Sequence, residues 1–432
     1  MMGGNILQAM SGTVNSVYLG QMIGVDALAA VSAFFPILFF FISFVIGLGA
    51  GSSVLIGQAY GPKEPERVKA VAGTTLTVTL IGGIVVAVLG SIFVREILTA
   101  VGTPAAILEE AIAYARIMLI AMPLFFGLLL MTSMMRGVGD TLTALYTFLI
   151  ANVIGLLVTP ALIRGWLGLP RLGASSAAWG SLVSLLVALT WLFFYLRARK
   201  HPLAPDAELF RHLRIDPKLL FRILQIGVPT GLQVVLLSIA EVAVLSFVNA
   251  FGPDATAAYG TVNQIVSYVQ FPAISIAITV SILGAQAIGA GRTSQLSRIT
   301  LTGIAYNLVV TGGLVLLAYL FSRTMIGFFI TSAPVLELAE RLLHITLWSY
   351  VVFGMAGTIS GIMRASGTVL WPTAISIFCV LAVEVPVAWF LAGRIGIDGI
   401  WIAYPVAFVA MLVLQSAYYW FVWRKKRITR LI

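Results

Sequence analysis

The sequence predicts an all-α polytopic membrane protein: twelve transmembrane helices in two six-helix repeats, related by a pseudo-two-fold axis along the membrane normal. Three observations predict it. Of the 432 residues 60% are apolar and only 10% charged, with a mean hydropathy of +1.04. A soluble domain is about half apolar and a quarter charged, so the solvent for this chain is lipid. The apolar residues also gather into runs long enough to cross a ~30 Å hydrocarbon layer, which takes about 20 residues each. Barrel strands are excluded, because their alternate residues face water and these runs are apolar throughout. Finally, residue n matches residue n + 228 in three separate blocks with no gap between them.

Taken in order, the runs cover residues 4–23, 28–59, 68–94, 105–137, 142–164 and 174–197, then 218–250, 255–290, 295–322, 335–365, 370–392 and 398–423. Between the two groups of six lies the only long polar segment, Arg197 to Asp216. Charged residues, His and Pro of this kind read as a linker. The expected organisation is therefore an N-lobe over residues 1–200, a cytoplasmic linker over 201–216 and a C-lobe over 217–432.

In the repeat, Gly24, Asp26, Ala27, Ala29 and Ala30 fall on Gly252, Asp254, Ala255, Ala257 and Ala258. Gln58, Ala59 and Gly61 fall on Gln286, Ala287 and Gly289, and Met135, Arg136 and Gly139 on Met363, Arg364 and Gly367. Six spans per copy is an even number, so both copies enter the membrane in the same sense and the axis relating them lies along its normal. Two lobes around a central cavity are expected. The same offset lays Met1 on Pro229, well inside the seventh span. The first span is thus expected to lack its first half, as in a trimmed chain or one with a start codon assigned too late.

A formal net charge of +10 could suggest nucleic acid, but the basic residues sit at the ends of the apolar runs. Counted on alternate sides of the membrane they divide 19 to 7, and the richer side, which includes the C-terminus, is expected in the cytoplasm. The terminal Arg424, Lys425, Lys426, Arg427 and Arg430 then read as an anchor to anionic lipid rather than a partner-binding tail. No secretory signal is recognised, since no basic region precedes the first apolar stretch. Cys379 is the single cysteine and lies within an apolar run, so no intramolecular disulfide can form.

Soluble-enzyme chemistry is absent from the motifs. There is no GxxxxGK[ST] loop, no HExxH and no paired-Asp motif, and only three His are present. Gly47, Gly49 and Gly51 sit mid-helix, where small residues let helices pack closely. Pro36, Pro123, Pro160, Pro229, Pro272, Pro386 and Pro405 fall inside spans and free backbone carbonyls, which must face protein or a wet cavity. The Phe run from Phe34 to Phe44 reads mainly as lipid contact, with a lining for lipophilic cations as the alternative. His344, beside Arg341 and Glu340, reads as an interfacial polar cluster.

Of the sixteen acids only Glu241 and Glu384 lie deep in a span. A carboxylate at the bilayer centre costs about 2.5–3.5 kcal/mol on insertion scales, so it usually faces a cavity and binds a proton or cation. Glu384 stands two residues before Pro386, whose helix break is the alternative reason for its presence. Gln233 on the same span as Glu241, and Asn263, Gln264, Ser267 and Tyr268 on the next, could complete a site or simply tie helices together.

The stretches GVDALAAVSAFFPILFFF, GQAYG, MMRGVGDT with its echo IMRASGT, and IGIDGIWIAYPVAF together resemble the multidrug and toxic compound extrusion (MATE) family. The resemblance covers nearly the whole chain. It implies two six-helix lobes forming a V and export of organic, often cationic, compounds in exchange for Na⁺ or H⁺. One branch of the family places an aspartate in the first span, where this chain has Asn15, and another just before a proline in the fifth, where it has Thr159. Asn152 is a further polar candidate in that span. A second branch has a glutamate in the seventh span that Glu241 matches, although its companion aspartates are missing and only Glu384 is available to compensate.

The expected function is thus a secondary antiporter of a bacterial or archaeal cytoplasmic membrane, not an enzyme. Its C-lobe would couple small-molecule export to Na⁺ or H⁺, with no cofactor or metal centre, no nucleic-acid partner and a monomeric state. One rival is a lipid-linked-sugar flippase of the same broad superfamily, which would want deep basic residues for pyrophosphate; none is present in the spans. Another is an intramembrane enzyme such as a prenyltransferase, which would want Asp-rich metal motifs. A channel suits bent, repeated halves less well than alternating access does.

Overall fold

The computed structural model describes Gly3 and residues 22–23, 25–166, 172–330 and 332–432. Among them are eleven helices long and apolar enough to cross a membrane, and their ends agree with the second to twelfth runs to within three residues. The first run, with Asn15 on it, lies outside the described residues. The described residues form helices joined by short loops, with no strand among them, and make a multi-pass membrane protein. Large apolar side chains such as Val309, Leu320, Trp389 and Phe421 are at least 66% exposed, as lipid-facing residues must be.

Two compact units divide after Gly227. In unit 1 the spans are α1 (Val25–Tyr60), α2 (Pro65–Ile92), α4 (Leu108–Gly137), α5 (Thr141–Arg164) and α6 (Ser176–Ala198), with a short α3 (Val94–Ala100) after α2. Sequence sets their limits. Pro65 starts α2 at a position where no N–H is missed. Asp140 caps α5, accepting from the Thr143 N–H at 3.0 Å, and Gly165 ends it in the left-handed region at φ +71°. The core of the unit is Phe34, Val45, Leu98, Leu119, Met122 and their neighbours.

The polar linker is folded onto unit 1. Asp206 caps a short helix, α7 (Ala207–Arg211), and both Asp206, at 2.5 Å, and Glu208 accept from Lys69 Nζ at the start of α2. Thr74 donates to the Arg214 carbonyl at 3.2 Å. A Cβ on Gly73 would stand 2.1 Å from the His212 carbonyl oxygen, so only glycine lets the linker backbone approach. Leu203, Ala204 and Leu209 are buried beneath it. Burial alone would raise the Asp206 carboxyl, but the bonds from Lys69 and the Leu209 N–H hold it below its ordinary value. Burial pushes the His201 imidazole down, even with the Asp140 carboxylate 3.4 Å away drawing it up.

Helix α8 (Pro217–Asn249) contains the division between the units. Beyond it, unit 2 holds α9 (Pro253–Gly289), α10 (Leu296–Leu320), the short α11 (Ser322–Gly327), a tenth span broken into α12 (Ala333–Thr346) and α13 (Ser349–Ala365), an eleventh broken into α14 (Leu370–Phe378) and α15 (Val385–Ile395), and α16 (Ile397–Phe421). Helices α9 and α13 pack with backbones nearly touching, for a Cβ on Gly361 would meet the Ala277 carbonyl oxygen at 2.4 Å. Buried Asn307 on α10 is satisfied by donating to the Val351 carbonyl at 3.0 Å and accepting from Thr311. Such a bond ties α10 to α13 where lipid could not satisfy either group.

Candidate ion-coupling site

Residues Cys379–Glu384, between α14 and α15, form a single π-helical stretch. Its cause is local. Pro386 has no N–H to give to the carbonyl of Ala382, and its ring crowds that carbonyl, so the α-helical ladder cannot run through. A π stretch inside a helix often accompanies a functional position. Here it ends at Glu384, whose side chain is buried at 3% exposure.

Glu241 stands on α8 between the buried Ala240 and Val244, but unlike Glu384 its own side chain is exposed. Glu384, Tyr259 and Tyr350 all lie within electrostatic range of Glu241, so the two carboxylates belong to the same region of unit 2. The Tyr259 and Tyr404 hydroxyls share a buried hydrogen bond of 2.9 Å. Tyr259 also lies within hydrogen-bonding reach of Asn263, one turn further along α9. Behind it the Trp401 ring stacks at 5.7 Å, and Phe408 meets Tyr350 edge-on at 5.2 Å. Trp401 is fully buried, and its indole N–H has no hydrogen-bond partner among the described residues.

The two carboxylates and the bonded pair of tyrosine hydroxyls lie in the same part of unit 2, beside the Trp401 and Phe408 rings. Oxygen ligands are what a hard cation takes. Among the described residues no group of three or more His, Cys, Asp or Glu converges as a resident metal centre would require.

The other sequence candidates are distributed unevenly. Gln233 lies on α8 two turns, about 12 Å, from Glu241 and meets Thr373 Oγ1 at 3.5 Å. Ser267 spends its hydroxyl on the Asn263 carbonyl at 2.8 Å, while Gln264 and Tyr268 are exposed on α9. In unit 1, Asn152 donates to the Phe148 carbonyl at 2.9 Å within α5. Thr159 is fully buried against α6, with its Oγ1 2.2 Å from where a Gly180 Cβ would stand. Sequence reading passed over Tyr259, Tyr350 and Tyr404. A signal for the first existed, since Tyr259 follows directly on the repeated block Gly252–Ala258 and has Val31 at the 228-residue offset.

Comparison with known proteins bears on the whole of this arrangement. The MatE family model matches residues 1–161 and again residues 229–390, the second match beginning 228 residues after the first. The chain belongs to the MatE family. A probable multidrug resistance protein, YoeA of Bacillus subtilis, is 49% identical over 430 residues, covering 99% of this chain and 93% of that one. The multidrug export protein MepA of Staphylococcus haemolyticus is 24% identical, over 96% of this chain and 91% of its own. Among solved structures, an outward-facing multidrug resistance MATE family transporter of the MOP superfamily superposes with a TM-score of 0.89 at 22% identity, covering 100% of this chain and 94% of that one. A point mutant of the Vibrio cholerae MATE transporter VcmN gives 0.88 at 21%, covering 99% and 95%. At these identities the likeness is one of fold. The MatE repeat thus coincides with the offset seen in the sequence, and at that offset Glu241, Glu384, Tyr350 and Tyr404 fall on Thr13, Leu156, Met122 and Ser176. This chemistry belongs to one MatE half alone.

Proposed function

We propose that this MatE-family protein is a secondary active antiporter that exports organic, cationic or amphiphilic compounds by alternating access in exchange for Na⁺ or H⁺. What supports the coupling is that the two acids lying deep in the sequence's spans, Glu241 and Glu384, both fall in unit 2 and within electrostatic range of each other. Names of relatives, multidrug resistance and multidrug export, support the substrate class.

Glu241 is the principal coupling group and Glu384 its companion, with Asn263 and the Tyr259–Tyr404 pair completing the oxygen set. A proton and a cation compete for the same carboxylate oxygens, because each neutralises the same charge. If substrate binds best in one of those states, linkage requires that it shift proton or cation affinity in return. Loading from outside and release inside then drives export. The protein works as a monomer in the cytoplasmic membrane, with the linker and C-terminus in the cytoplasm as the 19 to 7 basic asymmetry directs. Residues 1–200 and 217–432 act as its two lobes.

Transport into reconstituted vesicles, with Na⁺ and pH gradients imposed separately over a panel of organic cations, tests this. Uptake driven by one of the two gradients is expected. Movement of the compounds that neither gradient accelerates would refute ion-coupled exchange.

A further inference from the structure

Repeat-related ends of the two units differ in charge. At the end of unit 1 that carries the linker, basic residues have acidic company: Lys69 with Asp206 and Glu208, Arg67 with Glu64 at 3.2 Å, and His201 with Asp140. The corresponding end of unit 2 is built from segments 285–300, 360–372 and 418–432. They contain eight Lys and Arg and no Asp or Glu side chain. At the 228-residue offset Thr368 stands in place of Asp140, while Arg364 retains the place of Arg136.

This basic end is folded rather than trailing. Trp423 donates its indole N–H to Ser366 Oγ at 2.9 Å, and Ser366 in turn bonds the Met363 carbonyl and Thr368 Oγ1. Leu431 lies against Gly367, 3.0 Å from where a Cβ would be, and Gly367 sits at φ +80°. Arg424 stacks over the Trp420 ring at 4.4 Å. The tail is thereby held over the loop that follows α13.

Within that loop Arg364, in the last turn of α13, has its Nε buried with no hydrogen-bond partner among the described residues. The helix dipole accounts for an arginine in a last turn. It does not account for a buried guanidinium nitrogen left unmatched, which is costly unless an anion completes it. A guanidinium fork fits a phosphate, and at a membrane surface the abundant phosphate belongs to lipid.

We propose that the Arg364–Thr368 loop and the folded tail Trp423–Arg430 form a binding site for the phosphate of an anionic phospholipid headgroup. Arg364 is the inner donor, and Arg424, Lys425, Lys426 and Arg427 form the outer ring. The site depends on membrane embedding and not on ion-coupled export, so it is tested by binding rather than transport.

Delipidated full-length protein in neutral detergent is unfolded thermally with added phosphatidylglycerol, phosphatidylcholine or inorganic phosphate. Phosphatidylglycerol is expected to raise the midpoint at least about three times as far as phosphatidylcholine does, as a ligand of the folded state must. Inorganic phosphate alone gives no shift. Arg364→Gln should lose at least half of the phosphatidylglycerol increment and keep the phosphatidylcholine response. Replacing the four outer residues by Gln should weaken the salt dependence of the increment. Equal shifts from both lipids, a full shift from inorganic phosphate, or an undiminished increment in Arg364→Gln would each overturn the proposal. If that variant does not fold, native mass spectrometry of the wild type decides. Preferential retention of phosphatidylglycerol supports the site, and equal retention of both lipids refutes it.

Discussion

Tyr259 and Tyr404 are 145 residues apart in the chain and 2.9 Å apart in space. Tyr259 borders the repeated block Gly252–Ala258 and Tyr404 lies within IGIDGIWIAYPVAF, but residue type alone does not separate either from packing in an apolar run. Glu241 and Glu384 could be found because a deep acid is costly in lipid and therefore rare. Their aromatic and hydroxyl surroundings could not, because no local pattern records which tyrosines meet. Tyr268 was legible as a polar residue next to the right helix face, yet it is 45% exposed. The pair and the exposed residue give a direct contrast. Tyr404→Phe deletes a buried hydrogen bond and is expected to cost about 1–2 kcal/mol, read as a fall of a few degrees in the unfolding midpoint. It should also shift the ion concentration for half-maximal transport. Tyr268→Phe should leave both unchanged, and equal effects of the two substitutions would detach the tyrosine pair from the site.

Among the elements, the spans were legible almost to the residue and the linker was not. Length and continuous hydrophobicity mark a membrane helix directly, so each of the eleven described spans lies where its run predicts. The linker reads only as a polar connection, because its charged residues, His and Pro interrupt every apolar run in it. What folds it is a partner far away in sequence, Lys69, together with three small or apolar residues, Leu203, Ala204 and Leu209, that are buried against unit 1. The π stretch before Pro386 was legible only as a break.

The linker's charges give it a direction with pH. Asp206 is held below its ordinary value, so its contribution is present above about pH 4 and is lost as pH falls through its folded value. His201 is also held low, in its neutral form, so its contribution is present above about pH 6.5 and is lost on acidification. Hydrogen-exchange protection across residues 201–214, taken relative to the intrinsic rate at each pH, is therefore expected to be high at pH 7.5 and markedly lower at pH 5. Lys69→Met should lower the protection already at pH 7.5, by leaving two carboxylates unpaired. Protection that is the same at both pH values and in the variant would contradict docking by these contacts.

At the scale of the whole molecule, the gapless 228-residue repeat and the two MatE matches describe one duplication whose halves have since diverged in chemistry. The deep acids lie in the second half, and the folded polar linker belongs to the first. The direction in which the molecule is threaded rests on its basic residues, and a single exposed linker position tests it. Arg211→Cys in a Cys379→Ala background should react with an impermeant thiol reagent only after cells are permeabilised, because the richer basic side belongs inside. Labelling in intact cells would reverse the topology.

The central claim concerns Glu241, and it is tested most directly by gradient-driven transport of an organic cation in proteoliposomes holding Glu241→Gln. Glutamine keeps the size and hydrogen bonds of the protonated acid but can neither release a proton nor neutralise a cation. Folding and substrate binding should persist while gradient-driven export is abolished, with Glu384→Gln weakening it less. Transport by Glu241→Gln at the wild-type rate and with the same ion dependence would contradict the claim and pass the leading role to Glu384.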